Sequence, residues 1–330
     1  MKLSHRRRRI LNAVRGRASA TIPELAAHLG LQSTSVRYEL KKLQEQGVLV
    51  DRSPLIDVRR LGFEVYNLYL GVHYSSSGAR QRLFEVVNQH PLVVWFSEIG
   101  GSYQLSILVQ VCGPRQIFDL VKHILHTEGV SVTSKLVSRN LGFSIFPWDK
   151  ADLSDIVHAS GERDVANASV DVDSTALRVL RMLAVKDSPS NREIARLSGL
   201  GNATVDRAVG RLQQAGILVG YFWRVDYSKS GLTKYKLLIT SKSHSPSFRS
   251  ELLEFGAQSD GVTHLSECLG AWDFELSVEV DSPAEAARFS EEFRRQFGDR
   301  LSHVESIPVF GFGEFRPVSQ EFYHFLERQR

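Results

Sequence analysis

Residues 199–231 read GLGNATVDRAVGRLQQAGILVGYFWRVDYSKSG, and residues 30–62 read GLQSTSVRYELKKLQEQGVLVDRSPLIDVRRLG. Each stretch opens on a glycine turn, carries apolar residues at helical spacing, breaks at a second glycine and continues into a β-branched run. One constant offset superposes them without a gap: Leu31 on Leu200, Val36 on Val205, Leu43 on Leu212, Gly47 on Gly216, Asp57 on Asp226 and Gly62 on Gly231. The same offset extends outward, to Ala26 on Ala195, Gly101 on Gly270, Pro114 on Pro283 and Gly142 on Gly311. A period this long exceeds any solenoid repeat and marks a tandem duplication of a two-part unit. The chain is therefore a covalent pseudo-dimer.

The small part of each unit has the pattern of a helix-turn-helix. In the first copy Ile10, Leu11 and Val14 suggest one helix, Ile22 to Leu29 a second and Ser33 to Gln46 a third. The turn Gly30-Leu31-Gln32 allows the steep crossing such a motif needs, and Ser33 is the expected N-cap. Val36, Leu40 and Leu43 form the buried stripe of the third helix. Ser33, Thr34, Ser35, Arg37, Tyr38, Lys41 and Lys42 are left to donate to phosphates and base edges. In the second copy the turn is Gly199-Leu200-Gly201, the expected cap Asn202 and the buried stripe Val205, Val209 and Leu212. Its DNA-facing set is Asn202, Thr204, Arg207 and Arg211, with Asp206 among them. Gly210, costing ~1 kcal/mol within a helix, invites a packing or close-approach explanation. Gly47 and Gly216 then end the helix and lead into a strand, expected to be the wing. Arg52 and Arg224 lie near that wing, where a phosphate contact and simple solvation are both open. The run Arg6 to Arg9 reads equally as a DNA-tracking arm or a frayed basic tail.

Charge follows the same division. The net charge is +4, yet residues 1–60 carry +8 and 174–229 carry +5, while 150–173 carry −4 and 230–330 carry −5. Basic small modules on a neutral or acidic scaffold are the footprint of a polyanion-binding unit. No apolar run approaches the ~20 residues of a membrane helix, and the basic start lacks a signal peptide's apolar stretch, so a cytoplasmic protein is expected. The two cysteines, Cys112 and Cys268, occupy non-equivalent positions and read as buried free thiols.

The larger part of each unit alternates strand and helix signals in the order βαββαβ, the ferredoxin-like sandwich. In the first copy these are Val65 to Val72, Ala79 to Asn88, Val93 to Ile99, Tyr103 to Val111, Ile117 to His126 and Val130 to Phe146. Their counterparts are Tyr235 to Thr240, Phe248 to Gln258, Val262 to Cys268, Trp272 to Val280, Ala284 to Phe297 and Val304 to Phe312. Helices on one face only leave an apolar sheet face, most economically covered by the sheet of a second copy. The central glycine turns are the candidate small-molecule contacts: Gly100, Gly101, Ser102 and Tyr103, and Leu269, Gly270, Ala271, Trp272 and Asp273. Small residues let a charged ligand end approach backbone amides beside an aromatic cover; a tight hairpin with a core aromatic fits almost as well. The expected division is 1–58 winged helix-turn-helix, 59–147 ferredoxin-like module, 148–173 acidic linker with a short helix near Leu153 to His158, 174–227 second winged helix-turn-helix, 228–317 second ferredoxin-like module and 318–330 tail. The fold class is α+β.

With these residues in order, the chain resembles the Lrp/AsnC family of transcription regulators across nearly its whole length, twice. Val205 to Arg211, Gly216-Ile217-Leu218-Val219-Gly220-Tyr221, Asp226 to Gly231 and Gly270-Ala271-Trp272-Asp273 look like its signatures. The first copy departs from them at Tyr38-Glu39 and at Ser102-Tyr103-Gln104. The resemblance implies a regulator that binds double-stranded DNA, self-associates through its ferredoxin-like sheets and senses an amino acid or related metabolite near the glycine turn. Siroheme decarboxylases share the architecture, but the histidine by which they resemble one another is absent, since Val58 precedes Gly62 and Tyr227 precedes Gly231. Gly311-Phe312-Gly313 and the helical pair His123 and His126 read as structural, and no catalytic residue, metal or cofactor is expected.

Overall fold

The computed structural model describes residues 4–18, 20–147, 153, 156–160, 172–185, 189–242 and 245–328. The first half runs α1 (His5–Gly16), α2 (Ile22–Leu29), α3 (Ser33–Glu45), β1 (Leu49–Ile56), β2 (Glu64–Tyr74), α4 (Ala79–Gln89), β3 (Val93–Ile99), β4 (Leu105–Val111), α5 (Arg115–Leu125) and β5 (Val130–Ile145). After β6 (Val157–Ser160) come α6 (Ser174–Leu183), α7 (Asn191–Ser198), α8 (Asn202–Gln214), β7 (Leu218–Val225), the single turn α9 (Tyr227–Ser230), β8 (Thr233–Ser241), α10 (Pro246–Gln258), β9 (Val262–Gly270), β10 (Phe274–Val280), α11 (Pro283–Phe297), β11 (Leu301–Phe312) and α12 (Gln320–Arg328). The fold is α+β, two tandem copies of a winged helix-turn-helix plus a ferredoxin-like module. No helix among the described residues is long and apolar enough to cross a membrane.

Local chemistry sets the helix ends. A capping box starts α2: Glu24 N–H donates to Thr21 Oγ1, and Thr21 N–H donates to Glu24 Oε2 at 2.7 Å. Gly47 and Gly216 both take φ of 66°, the left-handed conformation that closes α3 and α8. Val48 N–H then reaches Leu43 O, and Ile217 N–H reaches Leu212 O, each at 2.9 Å. The capping roles expected of Ser33 and Asn202 are corrected. Gln32 and Gly201 hold the extended N-cap position without a side-chain cap bond, and Ser33 and Asn202 are the first helical residues. Gly210 has open space where a Cβ would stand, so no close approach explains it. Arg6 to Arg9 belong to α1, neither arm nor frayed tail.

Both expected wings take another form. β1 and β7 pair antiparallel with each other, Ser53 against Phe222 and Pro54 against Tyr221, so each satisfies the other's exposed backbone edge. The cores exchange with them: Trp223 and Val225 pack into the first winged module, while Ile56, Val58 and Phe63 enter the second. Arg52 and Arg224 are drawn into this ribbon. Arg52 donates to Ala18 O at 2.9 Å and lies 3.7 Å over the Tyr221 ring, and Arg224 is ion-paired with Asp51. Neither is directed at a phosphate.

The ferredoxin-like sheets run β3-β4-β2-β5 and β9-β10-β8-β11. They join edge to edge through β3–β11 and β5–β9, closing eight strands into one ring within the chain. Closure removes every edge of the two sheets, with α4 and α5 outside one arc and α10 and α11 outside the other. β6 adds to β5 where a short helix was expected, held by Arg59, which bridges Asp57, Asn140 and Ala159 O. Residues 148–152, 154–155 and 161–171 of the acidic linker lie outside the described residues; Asp173 caps α6. The C-terminal stretch carries α12, whose Phe322 and Leu326 are buried against the second winged module. Cys268 is buried as expected, but Cys112 is exposed.

Candidate functional site

The candidate DNA-facing surface is built by α3 and α8. Burial of Val36 and Leu43, and of Val205, Val209 and Leu212, turns the remaining faces outward. On α3, Thr34, Arg37, Tyr38 and Lys41 are exposed and Ser33, Ser35 and Lys42 half-buried. Lys42 Nζ stands 4.4 Å from the Tyr38 ring centroid, so this pair presents one cationic, aromatic patch. On α8, Asn202, Arg207 and Arg211 are exposed and Thr204 half-buried. Here the acids intervene: Arg211 is ion-paired with Asp173, and Asp206 accepts from Asn191 at 2.8 Å. Of the two candidate surfaces, that of α8 is the less cationic.

Much of the basic charge of the first module is used internally. Arg7 pairs with Glu39 at 2.8 Å, Arg8 with Asp281, and Arg15 makes a bidentate pair with Glu279 at 2.6 and 2.9 Å. The last two dock α1 on the second ferredoxin-like module, more than two hundred residues away.

The glycine turns lie where each module meets the last strand of the other. Gly100 N–H donates to Pro308 O at 2.9 Å, and a Cβ on Gly270 would stand 2.8 Å from Val137 O. Trp272 is 3% exposed and meets Tyr69 edge-on at 4.7 Å, and Tyr103 meets the same ring edge-on at 5.9 Å. These aromatics belong to the apolar cluster joining the two sheets. Asp273 Oδ2 accepts from Ser241 N–H and Oγ, each at 2.7 Å. Ser102 and Ala271 are exposed, as is Leu269 at 61%.

Only part of the inter-sheet face is apolar, which corrects the sequence expectation. Beside the Tyr69–Trp272 cluster the sheets separate around a cavity of about 920 Å³, roofed by Pro54, Leu55, Phe222, Trp223 and Arg224 of the β1–β7 ribbon. One wall is charged. Lys236 Nζ lies 2.7 Å from Glu275 Oε1 and 3.2 Å from the Tyr69 hydroxyl, which donates to Glu275 Oε2 at 2.9 Å. Burial raises the Glu275 pKa, but Lys236 and Tyr69 outweigh it and hold the carboxylate below its ordinary range. Burial pushes Lys234 down to about 8 against the pull of Glu279, its cross-strand neighbour. Enclosure likewise lowers His264 to about 4, so it is neutral at pH 7. These residues were missed in the sequence. Lys234 and Lys236, and Glu275 and Glu279, alternate on strands as solvent-facing residues do, but their charge on strands otherwise apolar was a usable signal.

Comparison with known proteins accords with this architecture. Residues 3–50 match a winged helix-turn-helix DNA-binding family, and residues 175–220 match the IclR helix-turn-helix domain. The DNA-binding transcriptional activator DecR of Escherichia coli is 26% identical over 141 residues, spanning 42% of this chain and 92% of its own length. One relative thus corresponds to about one unit. An AsnC family transcriptional regulator from Agrobacterium tumefaciens covers 41% of this chain, with a TM-score of 0.35 at 21% identity.

The chain carries two helix-turn-helix DNA-binding domains in tandem, one in each unit, and is similar to transcription regulators of the Lrp/AsnC type. Over its full length this chain shares its fold with the siroheme decarboxylase NirDL, at a TM-score of 0.57 and 14% identity, covering 98% of this chain and 97% of that one.

Proposed function

We propose that this regulator binds one asymmetric DNA site in the cytoplasm through α3 and α8, and that a small metabolite, an amino acid or a relative of one, modulates that binding. The observation that carries the reading is the β1–β7 pairing. It ties the bases of both winged modules together, so the two recognition helices address half-sites at one fixed separation, about 10 bp or a multiple of it. Ser33, Thr34, Ser35, Arg37, Tyr38, Lys41 and Lys42 contact one half-site, and Asn202, Thr204, Arg207 and Arg211 a different one. The site is an imperfect palindrome. The glycine turns, Gly100 to Tyr103 and Leu269 to Asp273, serve the effector: each touches both modules, so a ligand there shifts their packing by ~1–3 kcal/mol. Fluorescence anisotropy on duplex from upstream of the protein's own gene, against scrambled duplex at several salt concentrations, tests the reading. Selective binding that weakens steeply with salt is expected. Calorimetry with a panel of amino acids tests the effector, and no binding by any of them refutes that part.

A second reading, a tetrapyrrole-converting enzyme, is favoured by the cavity and by the full-length likeness to NirDL, also solved with an iron-uroporphyrin III analogue. Incubation with siroheme and measurement of released carbon dioxide tests it. A turnover number of zero rejects it.

A further inference from the structure

We propose, resting on the regulator reading, that Asp173 masks Arg211 of α8, so that the second winged module reaches the DNA backbone only by giving up an ion pair within the protein. Asp173 is then the residue that makes the two half-sites unequal in affinity.

The duplication supplies the comparison. Arg37, Lys41 and Lys42 on the outward side of α3 correspond to Asp206, Gly210 and Arg211 on α8. Two of the three cations are gone from the second copy, one of them exchanged for an acid. Arg207 stands where α3 has Tyr38, and its Nε donates to Ala203 O of its own helix at 3.2 Å. Arg211 is thus the cation that α8 keeps at these three positions.

The residue that meets this cation has changed as well. Asp173 corresponds to Ser4, and each is the N-cap of the first helix of its module. Ser4 is neutral. Its Oγ accepts from Arg7 N–H at 3.4 Å, and Lys42 makes no ion pair among the described residues, its Nζ standing over the Tyr38 ring. In the second module the cap is a carboxylate. Asp173 Oδ1 accepts from Ala176 N–H at 2.8 Å, while Oδ2 is ion-paired with Arg211. Because the cap bond already orders the carboxylate, holding it against Arg211 costs little further side-chain entropy.

Both partners are open to solvent, 43% for Asp173 and 58% for Arg211, so the pair is weak and screened by salt. A DNA phosphate can replace Asp173 at Arg211. The exchange trades one anion for another and leaves a free carboxylate beside the phosphates, whereas Lys42 meets a phosphate with no ion pair to break. Binding through α3 therefore comes first, and α8 follows at a penalty.

Asp173→Asn tests this, since asparagine caps a helix as well as aspartate does and only the ion pair is lost. Fluorescence anisotropy of the full-length protein uses the duplex from upstream of its own gene and its scrambled counterpart, between about 50 and 200 mM salt. Phosphate contacts carry no sequence information, so the variant binds both duplexes about threefold tighter or more at the lowest salt. The slope of log affinity against log salt steepens by roughly one, because Arg211 now gains a phosphate without releasing a carboxylate. On the upstream duplex, hydroxyl-radical protection strengthens about one helical turn, or a multiple of it, from the half-site of α3. Glu327→Gln is the control for net charge. It removes the same charge from the chain but frees Arg181 of α6, its partner at 2.9 Å, and leaves affinity and slope unchanged. An Asp173→Asn protein that binds no tighter than wild type, or an equal gain from Glu327→Gln, overturns the masking and leaves the regulator reading standing. Absence of DNA binding by the wild type and both variants overturns the regulator reading and the masking with it.

Discussion

Replacing Lys236 by methionine removes the cation of a pair in which both side chains are nearly inaccessible, 3% for Lys236 and 4% for Glu275. At 2.7 Å and an effective dielectric of ~20, the two charges attract by about 6 kcal/mol, and removing them from water costs several kcal/mol each. The intact pair is therefore close to neutral for stability, but the lone carboxylate left by Lys236→Met is not. Tyr69 and Asn67 still donate to Glu275, at 2.9 and 3.3 Å, and soften the loss to about 3–5 kcal/mol at pH 7. Urea unfolding followed by tryptophan fluorescence reads this as a midpoint about 1 M or more lower, for a slope near 3 kcal/mol/M. The double variant Lys236→Met, Glu275→Leu recovers most of the loss, because no buried charge remains. The variant also has its own pH signature. Its Glu275 has a folded pKa above the unfolded value, so the folded state binds more protons, and the defect shrinks from pH 8 to pH 5. A single variant within 1 kcal/mol of wild type, or a double variant as unstable as the single, refutes the buried-pair reasoning.

Trp272→Ala opens a cavity against Tyr69 and costs about 3–5 kcal/mol by the same assay. Lys41→Gln with Lys42→Gln weakens DNA binding without changing the melting temperature, and the slope of log affinity against log salt falls by ~1 per lysine. Phe322→Ala, which empties the contact of α12 with Phe63, speeds hydrogen exchange in α6 before it affects the ferredoxin-like modules. Burial lowers both His90 and His264 to about 4, His123 adding to the effect at His90. Their folded pKa values lie below the unfolded value of ~6.5, so the unfolded state gains protons first and stability falls from pH 6.5 toward pH 4. Melting temperature across that range checks this, and a flat profile in the protein carrying His90→Asn and His264→Asn identifies these groups as its source.

Local signals carried the sequence reading a long way. The repeat, the helical periodicity of Val36 and Leu43, and the glycines at 47 and 216 dictate helices, turns and the order βαββαβ within a few residues of one another, so α2 and β3 fall on their expected bounds. The outward sets of α3 and α8 followed for the same reason, because the buried stripe of a helix defines its other faces. Their caps did not, since a serine or asparagine beside a turn suits either side of the helix start.

Partners distant in sequence were decided by the tertiary structure alone. Pro54 meets Tyr221 and Ile99 meets Val309 because two copies of one strand pattern satisfy each other's edges, and no local propensity distinguishes that pairing from a solitary wing or an open sheet. Alternation along β8 and β10 shows that Lys236 and Glu275 share a face, but a face toward water and a face toward an enclosed cavity have the same period. Closure of the ring put those charges inside, where removal from solvent makes their pairing energetically decisive.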